Sequence, residues 1–395
     1  MHTITLFTRI VESAILYLTG KEAPVSTLLG SNLRRLRTAK GYTQEAVADA
    51  ARISVAAYRN YETGRAIPKV NTLLAIARAI GVSLNDLVTE ARPLTAVRFR
   101  AVKRLRSREE VLDDVARWLD NYIDIEAITG ETADWKLQEL VGRHDPITAA
   151  SEVRRVAGIG DEPVRDVCGL LEYLGVKVLS RPVCTDGFFG LSVGPADGGP
   201  AIVVNTWERI PVERWIFSAV HELGHLVLHP DSFRVEQADE IAQEEKEADR
   251  FAAHFLMPSA VFKQEWDDTC GLPLIDRVLK VKRIFRVSYK TVLYRLAEEG
   301  DRSVWQRFNA QYARHYGRRA RHSEPLPLGP EEYQPVENRR SKEPEQLVDV
   351  DFTADRLSRL VRRALEEERI TRSRAAEVLR LSHEELLERM EDWAA

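Results

Sequence analysis

The sequence predicts an α+β multidomain chain: an all-α N-terminal domain, a domain setting a small sheet against a helix that carries H-E-x-x-H, and a helical C-terminal tail. Three observations predict it. Apolar residues recur at helical spacing, with caps and stops, over residues 29–90. His221-Glu222-Leu223-Gly224-His225 lies inside a second run of helical period, Val212 to His229. The short β-branched stretch Ala201-Ile202-Val203-Val204-Asn205 precedes that run and reads as a strand. The 395 residues are enough for about two or three domains, and a net charge of −4 marks no single class of partner for the whole chain. Cys168, Cys184 and Cys270 are widely spaced and form no C-x-x-C pattern, which fits packed thiols in a reducing cytoplasm. No apolar run approaches the ~18 residues of a membrane span. Ile4 to Leu18 is interrupted by Arg9 and Glu12, so a signal peptide is not expected either.

Residues 1–28 read as a leader and 29–90 as the first domain. Ser31 to Lys40 sets Leu33 and Leu36 against Arg34, Arg35, Arg37 and Lys40, then stops at Gly41. Thr43 caps Gln44 to Ala51, and Ser54 caps a helix through Tyr61. Glu62-Thr63-Gly64-Arg65 turns the chain before Pro68. Leu73, Leu74, Ile76, Ala77 and Ile80 stripe a fourth helix that Gly81 closes, and Ser83 opens a short fifth. The succession T-Q-x-x-V-A, S-x-x-x-Y, Y-E-x-G-R-x-x-P and L-x-x-I-A-x-A-I-G-V-S resembles the XRE (lambda-repressor) helix-turn-helix family. The resemblance implies double-stranded DNA as partner, with the second helix of the pair in the major groove. Position then assigns Val55, Ala56, Arg59 and Asn60 to base edges, with Gln44 bracing from the preceding helix. Val55 and Ala56 can meet only thymine methyl groups. Arg98 to Arg108 holds six basic residues and no acid, and reads as a phosphate-contacting run beyond the domain.

The H-E-x-x-H helix carries the chemistry. With His221 at 0° on a wheel of ~100° per residue, His225 falls at ~40°, and Val212, Ile216, Ala219, Leu223 and Val227 cluster opposite. Two histidines four apart share a face and can share a metal, and the glutamate between them is placed to work on a water. Gly224 lets another backbone or a substrate come close. A hydrolytic zinc site takes a third protein ligand. His229 is one candidate, although Pro230 ends the helix there and points to a capping or surface role. The next helix, Glu240 to Met257, offers Glu245. With Glu245 at 0°, Asp249 lies at ~40° and Ile241, Ala248, Ala252 and Phe255 within ~80°, the buried face, while Glu244 and Glu247 fall toward solvent. A buried carboxylate needs a partner, which a metal supplies. Asp249, one turn on, could fix the tautomer of a ligating imidazole.

H-E-L-G-H-L-V-L-H followed by E-K-E-A-D-R-F-A-A-H-F-L-M-P resembles the ImmA/IrrE family of bacterial metallopeptidases, and the resemblance spans the domain drawn here at 156–300. It implies a gluzincin-like site in which His221, His225 and Glu245 hold Zn2+, Asp249 stands behind a histidine, and Glu222 is the general base. It extends to Asp186-Gly187-Phe188-Phe189-Gly190 and to Ala201–Asn205, which look like edge strands. An edge strand beside a metal cleft can take an extended peptide by strand addition. Tyr289, Tyr294, His254 and His229 stay open as oxyanion donors.

The remaining segments read as a helical connector at 91–155, a basic segment and Pro-rich linker at 301–346, and a helical tail at 347–395. Val111, Val115, Trp118 and Leu119 form a helical stripe in the connector, and Trp135 to Val141 begins another. Val281 to Leu296 is expected to dock as a helix. The tail mimics a helix-turn-helix in spacing without a base-reading argument, and packing or dimerisation is its expected use. The whole implies a cytoplasmic regulator that joins a DNA-binding domain to a zinc endopeptidase. Its expected substrate is a repressor-type helix-turn-helix protein, either itself, a sister copy or a partner. Two other classes remain open: a regulator whose metal domain senses zinc or a ligand, and an antitoxin-like scaffold. Glu222 favours the enzyme, because a structural site needs no general base.

Overall fold

The computed structural model describes residues 25–39, 42–82, 84–88, 94–101, 108–183, 188–233, 241–316 and 343–394. The leader up to residue 24, Gly41, Ser83, Cys184, Asp186, Gly187, residues 102–107 of the basic run and 317–342 of the basic and Pro-rich segments lie outside these residues. In chain order the helices and strands are α1 (Val25–Ala39), α2 (Gln44–Ala50), α3 (Val55–Glu62), α4 (Val70–Ile80), α5 (Leu84–Val88), β1 (Val97–Ala101), α6 (Arg108–Thr129), α7 (Pro146–Ala157), α8 (Val167–Tyr173), β2 (Lys177–Arg181), β3 (Phe188–Val193) and β4 (Ala201–Asn205). There follow α9 (Val212–Leu228), α10 (Ala242–Leu256), α11 (Ser259–Asp268), α12 (Leu274–Phe285), α13 (Tyr289–Glu298), α14 (Val304–Tyr316), α15 (Arg356–Glu366), α16 (Arg372–Leu379) and α17 (His383–Ala394). The chain divides into two compact units, one of 1–93, 106–121 and 372–395, the other of 94–105 and 122–371.

In the first unit, α1 to α5 close over Leu33, Leu36, Val47, Tyr58, Leu73, Ile76 and Ile80. The caps are those the spacing predicts: Thr43 accepts from Ala46 N at 3.1 Å, and Ser54 from Ala57 N at 3.2 Å. Gly81 ends α4 with φ 74°, the left-handed turn that glycine adopts freely. A Cβ at Gly30 would stand 2.7–2.9 Å from Tyr61 O, Glu62 O and Gly64 N, so α1 meets the end of α3 backbone to backbone. The first helix starts earlier than its apolar stripe, at Val25. In the same unit, Arg380 at the end of α16 pairs with Asp114 of α6 at 2.8 Å.

The second unit is built on a four-stranded sheet of order β1-β3-β4-β2, with β2 parallel to β4 and β3 antiparallel to both its neighbours. This corrects the expectation of edge strands: Phe188–Val193 and Ala201–Asn205 are the two central strands, and every residue of both is buried. The reason is legible in β4, whose unbroken apolar run suits a strand covered on both faces, whereas a half-exposed strand would alternate. Because β4 is paired on both sides, it cannot accept a further strand. Helix α9 packs on β3 and β4, and α10 packs on α9. Gly224 permits that last contact, since a Cβ there would meet Phe251 Cδ1 at 3.0 Å and Ala248 Cα at 3.3 Å.

Two helix expectations also change. Trp135 to Val141 forms only a single 3-10 turn at Gln138–Leu140, with Leu137 and Leu140 buried for packing. Val281 to Leu296 is two helices, α12 and α13, broken at Arg286, which takes a left-handed φ of 57°. The chain from Glu343 packs against both: Glu343 accepts from Tyr289 N at 2.9 Å, and Lys282 Nζ lies between Glu213 Oε1 (2.6 Å) and Glu343 Oε1 (3.2 Å). No helix among the described residues is long and apolar enough to cross a membrane.

Candidate metal centre

Helices α9 and α10 bring His221, His225 and Glu245 together. His221 Nε2 and His225 Nε2 stand 2.9 Å apart, and Glu245 reaches them through Oε2 and Oε1 respectively, each at 3.2 Å. Among the described residues this is the group whose ligand atoms converge closely enough to hold an ion. With zinc–ligand bonds of about 2.05 Å, the edges of a tetrahedral face measure about 3.3 Å, so the spacing of the two imidazole nitrogens and the carboxylate suits a zinc ion.

The outer hydrogen bonds of the two rings set their tautomers. His221 Nδ1 lies 2.7 Å from Asp249 Oδ1, so it carries the proton and donates it. His225 Nδ1 lies 3.0 Å from His229 Nδ1, and His229 Nε2 lies 3.0 Å from Glu247 Oε2. The consistent assignment has Glu247 accepting from His229 Nε2 and His229 Nδ1 accepting from His225. Both Nε2 lone pairs then face each other beside an anionic carboxylate. Such an arrangement repels itself unless a cation lies between the atoms, so the donor set fits a metal ion. Burial holds His225 neutral, well below the ordinary imidazole value. Burial alone would raise the Glu245 carboxyl, but the two imidazoles beside it override this and hold it well below the carboxylate range.

Glu222 does not join this triangle. It is fully buried on α9 and faces β3, where Ser192 Oγ donates to its Oε2 at 2.8 Å. A Cβ at Gly190 would sit 3.3 Å from Glu222 Cγ, so the strand's small residues make room for the carboxylate.

Several details depart from the sequence reading. His229 caps the helix, its N–H donating to His225 O at 3.0 Å, but its side chain does not turn to the surface; it stands behind His225. Glu244 and Glu247 are not a merely solvated run. Glu247 holds His229, and Glu244 accepts from Ser232 Oγ at 2.6 Å and pairs with Arg98. They differ from expectation because α10 begins beside β1 and the end of α9, so its first turns meet protein on sides a helical wheel assigns to solvent. Ile241, placed on the buried face by the wheel, is the exposed N-cap. Arg98 is withdrawn from the phosphate-contacting run: it lies in β1, nearly buried, with Nη2 3.0 Å from Glu245 Oε1. Of the oxyanion candidates, His254 is bound to Glu298 and Arg295, Tyr289 stacks on Phe308 and Tyr312, and Tyr294 is exposed against Trp305. Ser192 and Arg98 were not foreseen. A polar residue inside the apolar F-F-G-L-S-V strand was the available signal for the first, and the alternation V-R-F-R for the second.

In the first unit, Ala56, Arg59 and Asn60 are exposed on α3 and Val55 is half-buried. Gln44 links the pair of helices: its Nε2 donates to Glu62 Oε2 at 2.6 Å, and its Oε1 accepts from Arg59 Nε at 3.4 Å. Glu62 is in turn held by Arg37 Nε at 2.5 Å. Arg59 is thus steered from α2 while its outer nitrogens project from the helix.

Comparison with known proteins agrees with this two-part construction. Residues 33–87 match the helix-turn-helix family, and residues 171–297 match the IrrE N-terminal-like domain, a peptidase family. The SPbeta prophage-derived HTH-type transcriptional regulator YonR of Bacillus subtilis is 38% identical over 61 residues, 15% of this chain and 56% of that protein. The HTH-type transcriptional regulator y4dJ of Sinorhizobium fredii is 47% identical over 62 residues, 16% of this chain and 80% of that protein. A crystal structure of ComR from Streptococcus suis aligns over 93% of this chain and 94% of that one, at 11% identity and a TM-score of 0.15, which carries no argument. The chain belongs to the helix-turn-helix family of transcriptional regulators through its N-terminal domain, and it joins to that an ImmA/IrrE-type peptidase-family domain.

Proposed function

We propose that this chain is a DNA-binding regulator with zinc-dependent endopeptidase activity, and that its substrate is a repressor-type helix-turn-helix protein: itself, a sister copy or a partner. The observation that carries the reading is the separation of roles on α9. His221 and His225 converge with Glu245 on one point, while Glu222 is held out of that triangle by Ser192. A purely structural metal site has no use for a carboxylate so placed. Zinc held by His221, His225 and Glu245 would polarise the scissile carbonyl and acidify a water.

Glu222 takes the proton of the attacking water and passes it to the leaving amine, and the Ser192 hydroxyl fixes the rotation of its carboxylate. Asp249 and the His229–Glu247 pair keep the two imidazoles in the tautomer that leaves Nε2 unprotonated. The exposed positions of α3, with Arg59 steered by Gln44, form the DNA-reading face. Two copies of this domain would read half-sites about one helical turn apart. The test is metal analysis of the purified chain, then incubation with and without added zinc beside a co-encoded repressor. Zinc-dependent fragments of defined mass support the reading. A zinc-loaded chain that leaves both itself and the repressor intact overturns it.

A further inference from the structure

The side chains that would do this chemistry are closed off. His221, Glu222 and His225 have no exposed surface, and Glu245 has little. A peptide can reach them only if something moves, and β1 is placed to be that element. It pairs antiparallel with β3 in the register Arg98↔Ser192, Phe99↔Leu191 and Arg100↔Gly190. These are the β3 residues that touch or flank Glu222. Residues directly opposed in an antiparallel pair point to the same face, so Arg98 shares with Ser192 the face turned toward Glu222. From there its guanidinium pairs with Glu244 and with the candidate metal ligand Glu245.

The strand is tied at its start. Asp197 accepts from Thr95 N (2.5 Å), Thr95 Oγ1 (2.8 Å) and Ala96 N (2.6 Å), and Gly194 N donates to Ala96 O at 2.8 Å. Its register shifts between Arg100 and Ala101.

We propose that β1 is a resident surrogate for substrate: residues 97–101 occupy the peptide-binding edge of β3, and Glu244 receives the basic side chain of whatever strand lies there. A substrate is then an extended segment with Arg or Lys opposite Ser192, and it binds by displacing β1. Main-chain pairing supplies its affinity, and the Glu244 carboxylate supplies its specificity. The identity of the displacing peptide as a substrate rests on the peptidase reading, but its binding does not.

The test therefore reads binding without catalysis, in the Glu222→Gln chain. The probe is a fluorescent copy of residues 97–101, VRFRA, which lacks the two residues that Asp197 holds. Asp197→Ala removes three hydrogen bonds that hold β1, and is expected to tighten probe binding at least tenfold. Thr95→Ala removes one of them and gives a smaller shift in the same direction; it decides the matter if Asp197→Ala does not fold. A probe carrying Arg98→Glu is expected not to bind either variant, because it opposes Glu244 with a like charge. Equal probe affinity for the parent and the released variants, or equal affinity for the two probes, overturns the proposal. Neither result bears on whether the unmutated site cleaves peptides.

Discussion

Glu245 and Glu247 lie two residues apart on α10 and are chemically identical, yet they meet different partners. Glu245 touches both Nε2 atoms, while Glu247 reaches the centre only through His229 and then His225. Glu245→Gln is therefore expected to weaken zinc binding by at least a hundredfold, and Glu247→Gln by less than tenfold, in a competition titration with a chelator. Asp249→Asn, which removes the partner of His221 Nδ1, should fall between, in the ~10–100-fold range of outer-shell changes. Equal losses at 245 and 247 would contradict the ligand assignment. The shared face of His221 and His225 was legible in the sequence because helical geometry is rigid: a spacing of four puts two side chains on one face whatever surrounds them, while Glu245, on another helix, was proposed from its buried wheel position. Ser192, Arg98 and the role of His229 were not legible in this way. Each depends on how elements far apart in the chain pack, with Arg98 and Ser192 brought together by a strand register that no local pattern fixes.

At the scale of elements, helices were easier to read than strands. Thr43, Ser54 and Gly81 are local signals with local consequences, and they stand where the helices begin and end. The position of a strand in its sheet is not a local property, which is why two central strands read as edges. The close approach of α1 to α3 gives a stability prediction. Gly30→Ala puts a methyl within 3 Å of three backbone atoms, and overpacking of this kind costs about 1–3 kcal/mol, to be read as a lowered melting temperature of the intact chain. For the same unit, gel shifts across a salt series should show binding to promoter duplexes that weakens as salt rises. Arg59→Ala should lower discrimination between sites by about 1–3 kcal/mol if it reads a base bidentately. No binding at low salt would sink the DNA-reading assignment.

The segment after Glu343 carries a pH dependence. Burial raises the Glu343 carboxyl to about 7; Lys282 opposes this and Glu213 adds to it. Between the ordinary value near 4.5 and 7, the folded chain keeps a proton that the unfolded chain releases. Stability from this group is thus full at low pH and lost as pH rises through 7, on the order of 3 kcal/mol. Glu343→Gln should gain relative to the parent between pH 5.5 and pH 8 in urea titrations. A difference that does not change with pH would show that the carboxyl is ionised throughout.

At the scale of the whole molecule, the proposed function joins a DNA-reading face to a hydrolytic centre in one chain. That function turns on Glu222 acting as a base. The direct measurement compares the zinc-loaded chain with Glu222→Gln, incubated with a co-encoded repressor and read by intact mass, with zinc content and DNA binding measured on the same samples. Gln keeps the size and hydrogen bonding of the side chain and does not touch the ligand triangle. Zinc content and DNA binding should survive, while cleavage falls by at least the ~10²–10⁴ expected for a general base. If Glu222→Gln cleaves as fast as the parent, or releases the same genes from repression in cells, the metal domain acts as a sensor or scaffold and the peptidase account is wrong.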